Sequence, residues 1–213
     1  MIRIYIVDDH DLVRAGVRSM LQPERDLEVI GEFACGEDVI KACRERCPDV
    51  VLMDINMPGI GGIEATKRLA AAHPDIGIIA VTAMDADPFP GKLLDAGARG
   101  YLSKASNRDE MLEAIRTVTR GNHFISSEVA KKLAITNLRN HGDESPISSL
   151  SAREMQVMMM VIQGHGNQEI SDTLCLSPKT VYTYRARIFE KLNVANDVEL
   201  THFGIRHGLI EPA

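Results

Sequence analysis

The sequence predicts a parallel α/β sheet wound with helices on both sides, followed by a segment that is helical throughout. Three observations carry this. Short aliphatic runs alternate with helical periodicity over residues 1–121, those runs are apolar on successive residues, and from Leu150 onward only the helical period remains. The runs lie at Ile2–Val7, Leu27–Phe33, Val50–Met53, Ile76–Val81 and Gly100–Leu102, with helical patterns at 11–21, 36–46, 61–72, 87–96 and 108–120. Val50-Val51-Leu52-Met53, apolar at every position, fits a strand covered on both faces. Five β-α repeats with short connections imply a doubly wound parallel sheet.

Residues 122–147 read as a connector. Ser126–Asn137 has the cap and apolar spacing of a helix, with Val129 and Leu133 on its inner face. Leu138–Ser149, holding Asn140, Gly142, Asp143, Ser145 and Pro146, has the composition of a tether. Beyond it, helices are expected at about 151–164, 167–174, 178–192 and 196–207. This gives three parts: a sheet domain over 1–121, a partly helical linker over 122–147 and a helical domain over 148–213.

With 45% hydrophobic and 25% charged residues, the 213-residue chain can bury a core in each half. No apolar run approaches the ~18 residues of a membrane span. Met1 leads directly into a strand-like run without a signal peptide, so the cytoplasm is the expected compartment. Cys35, Cys43, Cys47 and Cys175 have no C-x-x-C spacing and no His cluster to complete a zinc set. Cys43 and Cys47, four residues apart, are expected to pack as small apolar groups on one helix face.

The net charge of −6 excludes a protein that coats nucleic acid indiscriminately. Residues 1–121 carry 15 Lys+Arg against 20 Asp+Glu, and residues 148–213 carry 6 against 7. Any DNA binding by the nearly neutral helical end must rest on where its charges lie.

In open α/β sheets, ligands bind beyond the carboxyl ends of the strands. Asp8-Asp9 follow the first run, Asp54 the third, Thr82 the fourth and Ser103-Lys104 the fifth. Carboxylates gathered there repel one another unless a hard divalent cation such as Mg²⁺ lies between them. Lys104 adds a positive charge and Thr82 a hydroxyl donor, enough to hold phosphoryl oxygens while Asp54 supplies a nucleophilic carboxylate. A lone Asp after a strand is usually only solvated; this set at four strand ends is not explained that way. Gly59, Gly61 and Gly62 lack the Lys and spacing of a phosphate-binding P-loop and are expected as turn residues.

Residues 1–121 resemble the receiver domain of bacterial response regulators through VDDH (7–10), LMDINMPGIGG (52–62), AVTA (80–83) and GYLSKA (100–105). The resemblance implies a flavodoxin-like, five-stranded sheet with Asp54 as phosphoacceptor. It places Mg²⁺ among Asp8, Asp9, Asp54 and the Asn56 backbone carbonyl. It gives Thr82 and Lys104 the phosphoryl oxygens and makes Tyr101 the aromatic that changes rotamer on activation.

In the helical end, Ser177 is a good N-cap and Pro178 suits the first helical position. On that helix Val181, Ile188 and Leu192 share a face, with Tyr184 near its edge. Tyr182, Thr183, Ala186 and Arg187 turn outward. Lys179, Arg185, Arg187 and Lys191 stand against Glu190 alone, which suits a helix entering the major groove. The four Met at 155, 158, 159 and 160 have core spacing.

The segments LSARE (150–154), GNQEI (166–170), LCLSPKTV (174–181) and KLNV (191–194) resemble the LuxR-type helix-turn-helix. That resemblance implies base contacts from Tyr182, Thr183 and Ala186, and phosphate contacts from Lys179, Thr180, Arg185 and Arg187. It also implies dimerisation through the last helix, with Val198, Leu200, Thr201 and Ile205 as contacts. Receiver plus this module is the NarL/FixJ architecture, and VDDHDLVRAGV, DPFPGKLLDAGARGYLSK and SDTLCLSPKTV are most similar to its GacA/UvrY branch. The implied partners are a hybrid sensor histidine kinase, promoter DNA, RNA polymerase and a second copy of the chain, with no membrane. The implied output is control of small regulatory RNA genes of the carbon-storage system.

Two other classes were weighed. A Mg²⁺-dependent phosphatase needs a substrate pocket and a cap domain, and no cap is inserted among the early strands. A pure interaction module would use the helical end for protein contact. The favoured expectation is a regulator that is not an enzyme, assisting only its own phosphorylation and dephosphorylation.

Overall fold

The computed structural model describes residues 1–82, 89–127, 129–130, 146–207 and 209–210, without the side chains of residues 89, 90 and 148. Two compact units are present, one comprising residues 1–82, 90–127 and 129–130, the other residues 146–207 and 209–210.

The first unit alternates strand and helix: β1 (Ile2–Val7), α1 (Asp11–Leu21), β2 (Leu27–Phe33), α2 (Gly36–Glu45), β3 (Val50–Asp54) and α3 (Gly61–Ala72). It continues through β4 (Gly77–Thr82), α4 (Phe89–Asp95), β5 (Gly100–Ser103), α5 (Arg108–Thr119) and β6 (Phe124–Ile125). All pairings are parallel, in the order β2-β1-β3-β4-β5-β6. The strand order reverses at β1, so the crevice above β1 and β3 is where a ligand belongs.

Strand alternation divides the core between two helical layers. Ile4, Ile6, Val50, Leu52, Ile79, Val81 and Leu102 face α1 and α5, meeting Val17, Leu21, Met111, Ile115 and Val118. Tyr5, Val7, Val51, Met53 and Ile78 face the other way, onto Val39 and Cys43 of α2 and Ala65 and Leu69 of α3. Both faces are apolar, which is why the strands read as unbroken hydrophobic runs.

Two expectations are corrected here. Among the described residues the sheet has six strands, because Phe124 and Ile125 pair with Gly100 and Tyr101. Two residues at the head of the expected linker thus belong to the sheet; a two-residue strand has too little pattern to stand out from a loop. Cys47 lies beyond the end of α2, so it shares no helix face with Cys43. Its Sγ instead donates to the Cys43 carbonyl at 2.9 Å. Cys43 is buried, and burial pushes its thiol up to about 12. The tether and the linker helix expected up to Asn137 lie mostly outside the described residues. Ser127, Val129 and Ala130 are helical, with Val129 buried.

The second unit opens with a 3-10 turn (Pro146–Ser149). Among the described residues four helices follow: α6 (Ala152–Ile162), α7 (Asn167–Thr173), α8 (Pro178–Leu192) and α9 (Asp197–Arg206). Local chemistry sets their starts. Ser151 and Glu154 form a reciprocal capping box, and Ser177 accepts from the Thr180 N–H ahead of Pro178. Asn196 accepts from the Glu199 N–H at 3.0 Å. Met155, Met158 and Met159 are buried and Met160 is half-buried, joining Ile170, Val181, Ile188, Leu200 and Phe203 in the core.

Glu154 is also buried. Lys191 Nζ donates to its Oε2 at 2.7 Å and to the Ser149 carbonyl at 3.0 Å. Burial pushes Glu154 up, but the Lys191 and Ser151 contacts outweigh it and leave the carboxyl below its ordinary value.

Candidate functional site

The carboxyl ends of β1, β3, β4 and β5 deliver Asp8, Asp54, Thr82 and Ser103 to one rim, each buried by the strands beside it. Asp9 and Lys104, one residue further on, are half-buried. Lys104 is held over the rim because its N–H donates to the Thr82 carbonyl at 2.8 Å. Its ammonium reaches Asp8 Oδ2 at 2.7 Å and Asp54 Oδ2 at 2.9 Å. The Asn56 N–H approaches Asp54 Oδ1 at 3.3 Å. Tyr101, on β5, has its ring buried.

Burial is the main force on Asp54 and pushes its carboxyl up to about 6; Lys104 opposes this, Asp8 adds to it and the Asn56 N–H opposes it. Burial also works against the charged form of Lys104. The bonds and charges of Asp8 and Asp54 outweigh it and hold the ammonium above its ordinary value. One cation shared by two buried carboxylates leaves excess negative charge at this rim.

The donor set fits a hard divalent cation. Ligand atoms of Asp8, Asp9, His10 and Asp54 all lie within 4.8 Å of one another. Asp9 Oδ1 is buried and lacks a well-directed hydrogen bond among the described residues, although His10 Nδ1 stands 2.8 Å away. A carboxylate oxygen kept from water and left over by the protein matches a metal position.

Three neighbours of the rim escaped the sequence reading. His10, exposed, places Nδ1 3.2 Å from Asp8 Oδ1. Its place in VDDH was the available signal. Arg14 donates to the Asp8 carbonyl at 2.5 Å and pairs with Asp11. Glu37, on α2, accepts from the Ile60 N–H at 3.0 Å, and nothing local in the sequence announces that contact. The turn between β3 and α3 takes Gly59 and Gly61 at φ +73° and +72°, the left-handed region that favours glycine.

On α8, Tyr182, Thr183, Ala186, Lys179 and Arg187 are exposed, while Val181, Ile188 and Leu192 are buried beneath them. Thr180 is half-buried, its Oγ1 2.8 Å from Ser177 Oγ. Arg185, expected at phosphate, already has partners within the unit. Its guanidinium donates to Asn167 Oδ1 at 2.8 Å, pairs with Asp197 and lies over the Phe189 ring at 6.0 Å. It is a strut joining α8 to the starts of α7 and α9.

The expected dimer contacts divide as well. Val198 is 65% exposed, and Thr201 and Ile205 are half-buried on α9. Leu200 is fully buried in the unit's own core, so it is corrected to a packing residue. Helical spacing gave its face; only the packing shows that this face is already covered.

Both units of the chain match known families. Residues 4–116 match the response regulator receiver domain family, and residues 148–203 match the luxR family of bacterial regulatory proteins. A receiver joined to this module defines a DNA-binding response regulator. The chain is 50% identical to the response regulator GacA of Pseudomonas aeruginosa over 213 residues, all of both chains. It is 50% identical to the response regulator UvrY of Escherichia coli K12, covering 98% of this chain and 96% of that one. Among solved structures it resembles RcsB of Salmonella enterica serovar Typhimurium bound to a promoter in the presence of the phosphomimetic BeF3⁻. There the TM-score is 0.70 at 25% identity, covering 95% of this chain and 97% of that one. The chain therefore belongs to the NarL/FixJ-type response regulators, in the GacA/UvrY branch, as a two-component, DNA-binding regulator of transcription. No helix among the described residues is long and apolar enough to cross a membrane.

Proposed function

We propose that Asp54 is the phosphoacceptor of this regulator and that its phosphorylation by a sensor histidine kinase switches promoter binding by α8. The observation that carries this is the Lys104 ammonium shared between Asp54 at 2.9 Å and Asp8 at 2.7 Å, beside the buried Asp9 Oδ1. An Asp54 oxygen attacks the phosphorus of the donor phosphohistidine as the P–N bond breaks, and the histidine keeps the electron pair. Lys104 and Thr82 hold the phosphoryl oxygens. Asp8, Asp9, Asp54 and the Asn56 carbonyl would hold Mg²⁺, which would supply charge neutralisation for the transferred group. The chain then acts on no other substrate, assisting only gain and loss of its own phosphoryl group.

Phosphorylation exchanges a buried carboxylate for a larger dianion touching Lys104 and Thr82, and Tyr101 on β5 reads that change. The output is a homodimer on paired half-sites, with Tyr182, Thr183 and Ala186 towards bases and Lys179, Thr180 and Arg187 towards phosphates. Val198, Thr201 and Ile205 form the dimer contact. The exposure of Lys179, Tyr182, Thr183, Ala186 and Arg187 on α8 and of Val198 on α9 supports this. A hybrid kinase, RNA polymerase contact, a cytoplasmic location and control of carbon-storage small RNA genes belong to the same proposal, and the GacA/UvrY likeness supports them. Footprinting with and without phosphoramidate tests the switch. Protection should tighten on phosphorylation in the wild type and not in Asp54→Asn; equal stimulation of both would refute it.

A further inference from the structure

We infer that Glu37 is a positioning residue for the divalent-cation site, acting through the loop between β3 and α3. The inference rests on the phosphoacceptor reading of Asp54 given above.

That loop runs from Ile55 to Ile60 and carries the Asn56 carbonyl. At its start the Asn56 N–H meets Asp54 Oδ1 at 3.3 Å, and past its end the Gly62 N–H donates to the Ile55 carbonyl at 3.0 Å. Both contacts are local. Glu37 belongs to a different element, the first turn of α2, and reaches 23 residues along the chain to accept from the Ile60 N–H at 3.0 Å. The same carboxylate lies against Gly59: a Cβ there would stand 2.5 and 2.6 Å from its two oxygens. Gly59 holds φ +73°, the left-handed region that favours glycine, with its backbone directly against the Glu37 carboxylate.

A charge-assisted bond to a backbone N–H restrains the loop more firmly than a neutral one. It closes the far end of the segment whose near end bears the Asn56 carbonyl. Mg²⁺ demands near-ideal octahedral geometry, so a ligand carbonyl on a loosened loop costs affinity even when every carboxylate is intact. Glu37 does not reach the reacting atoms. It fixes the backbone that must present an oxygen to the ion, which makes loop order a property of α2 as well as of β3.

The test titrates Mg²⁺ into the full-length chain by calorimetry and measures autophosphorylation by phosphoramidate across Mg²⁺ concentrations. Glu37→Ala should raise the Mg²⁺ Kd about fivefold, the loss of one charge-assisted backbone bond. Its phosphorylation rate should recover at saturating Mg²⁺, which separates loop positioning from general damage to the fold. Glu37→Gln keeps an acceptor oxygen without the charge and should stay within about twofold of wild type. An unchanged Kd in Glu37→Ala overturns the inference. So does an equal loss in both variants, which would make the effect one of charge alone, or a rate defect that persists at saturation. If the wild type neither binds Mg²⁺ nor labels, the reading of Asp54 itself has failed, and the Glu37 inference falls with it.

Discussion

A Cβ on Gly62 would stand 1.9 Å from the carbonyl oxygen of Asp54, so α3 begins directly against the backbone of the expected phosphoacceptor. The Gly62 N–H closes this approach by donating to the Ile55 carbonyl at 3.0 Å. Glycine is required here by contact with backbone, which cannot rotate away as a side chain can. Gly62→Ala should destabilise the first unit by about 3 kcal/mol, as overpacking against a rigid element does. Urea denaturation followed by circular dichroism measures this. A variant as stable as wild type would show that the close approach relaxes freely.

Asp54 gives a pH prediction. Its folded value of about 6 lies above the ordinary 3.8, so between those values the folded state binds more protons than the unfolded state. Stability of the metal-free chain should therefore fall as pH rises through about 4 to 6 and level off above. Asp54→Asn removes the buried charge and should gain about 2 kcal/mol at pH 7 in chelator, with little gain near pH 4. Thermal melts at both pH values decide it, and a gain that does not depend on pH would contradict the assignment.

Lys191 and Glu154 make the matching case in the second unit, with the opposite sign. Glu154 is held below its ordinary value, so the pair's contribution is present above about pH 4.5 and lost as pH falls through the lowered folded value. Lys191→Met strands a buried carboxylate that keeps only its capping-box bonds. Partial exposure of Lys191 moderates the usual cost of breaking a buried pair, to about 2 kcal/mol at pH 7. The variant should also lose the acid sensitivity of the wild type, which parallel denaturation curves at pH 4 and pH 7 will show.

Arg185 separates strut from phosphate contact. Each phosphate neutralised contributes about 0.9 to the slope of log affinity against log salt. Lys179→Ala and Arg187→Ala should each lower the slope by about that amount. Arg185→Ala should weaken binding through a misplaced α8 while leaving the slope as in wild type, because its guanidinium is already committed to Asn167 and Asp197. Fluorescence anisotropy at several salt concentrations is sufficient. A slope change in Arg185→Ala would restore its phosphate role.

Much of the molecule was legible from local pattern. Continuous apolar runs marked strands buried on both faces, and the acidic and hydroxyl residues just after them marked the rim, because a parallel sheet carries every strand's carboxyl end to the same edge. Ser177 with Pro178 marked the start of a helix through a local hydrogen bond, which needs no partner from afar. These features depend on spacing along one stretch of chain, and spacing is what a sequence records.

The tertiary structure decided which partner each side chain takes. Phe124–Ile125 becomes a strand because β5 offers a free edge, Glu37 reaches Ile60 because α2 and α3 pack side by side, and Arg185 meets Asp197 because α9 folds back onto α6 beside α8. Leu200 turns inward against its own core. In each case a long-range contact competes with the local expectation and prevails through burial or charge pairing. The order of elements and the chemistry of the Asp54 rim were set residue by residue; the bracing of that rim, and the division of α8 and α9 between surface and strut, arose only from packing.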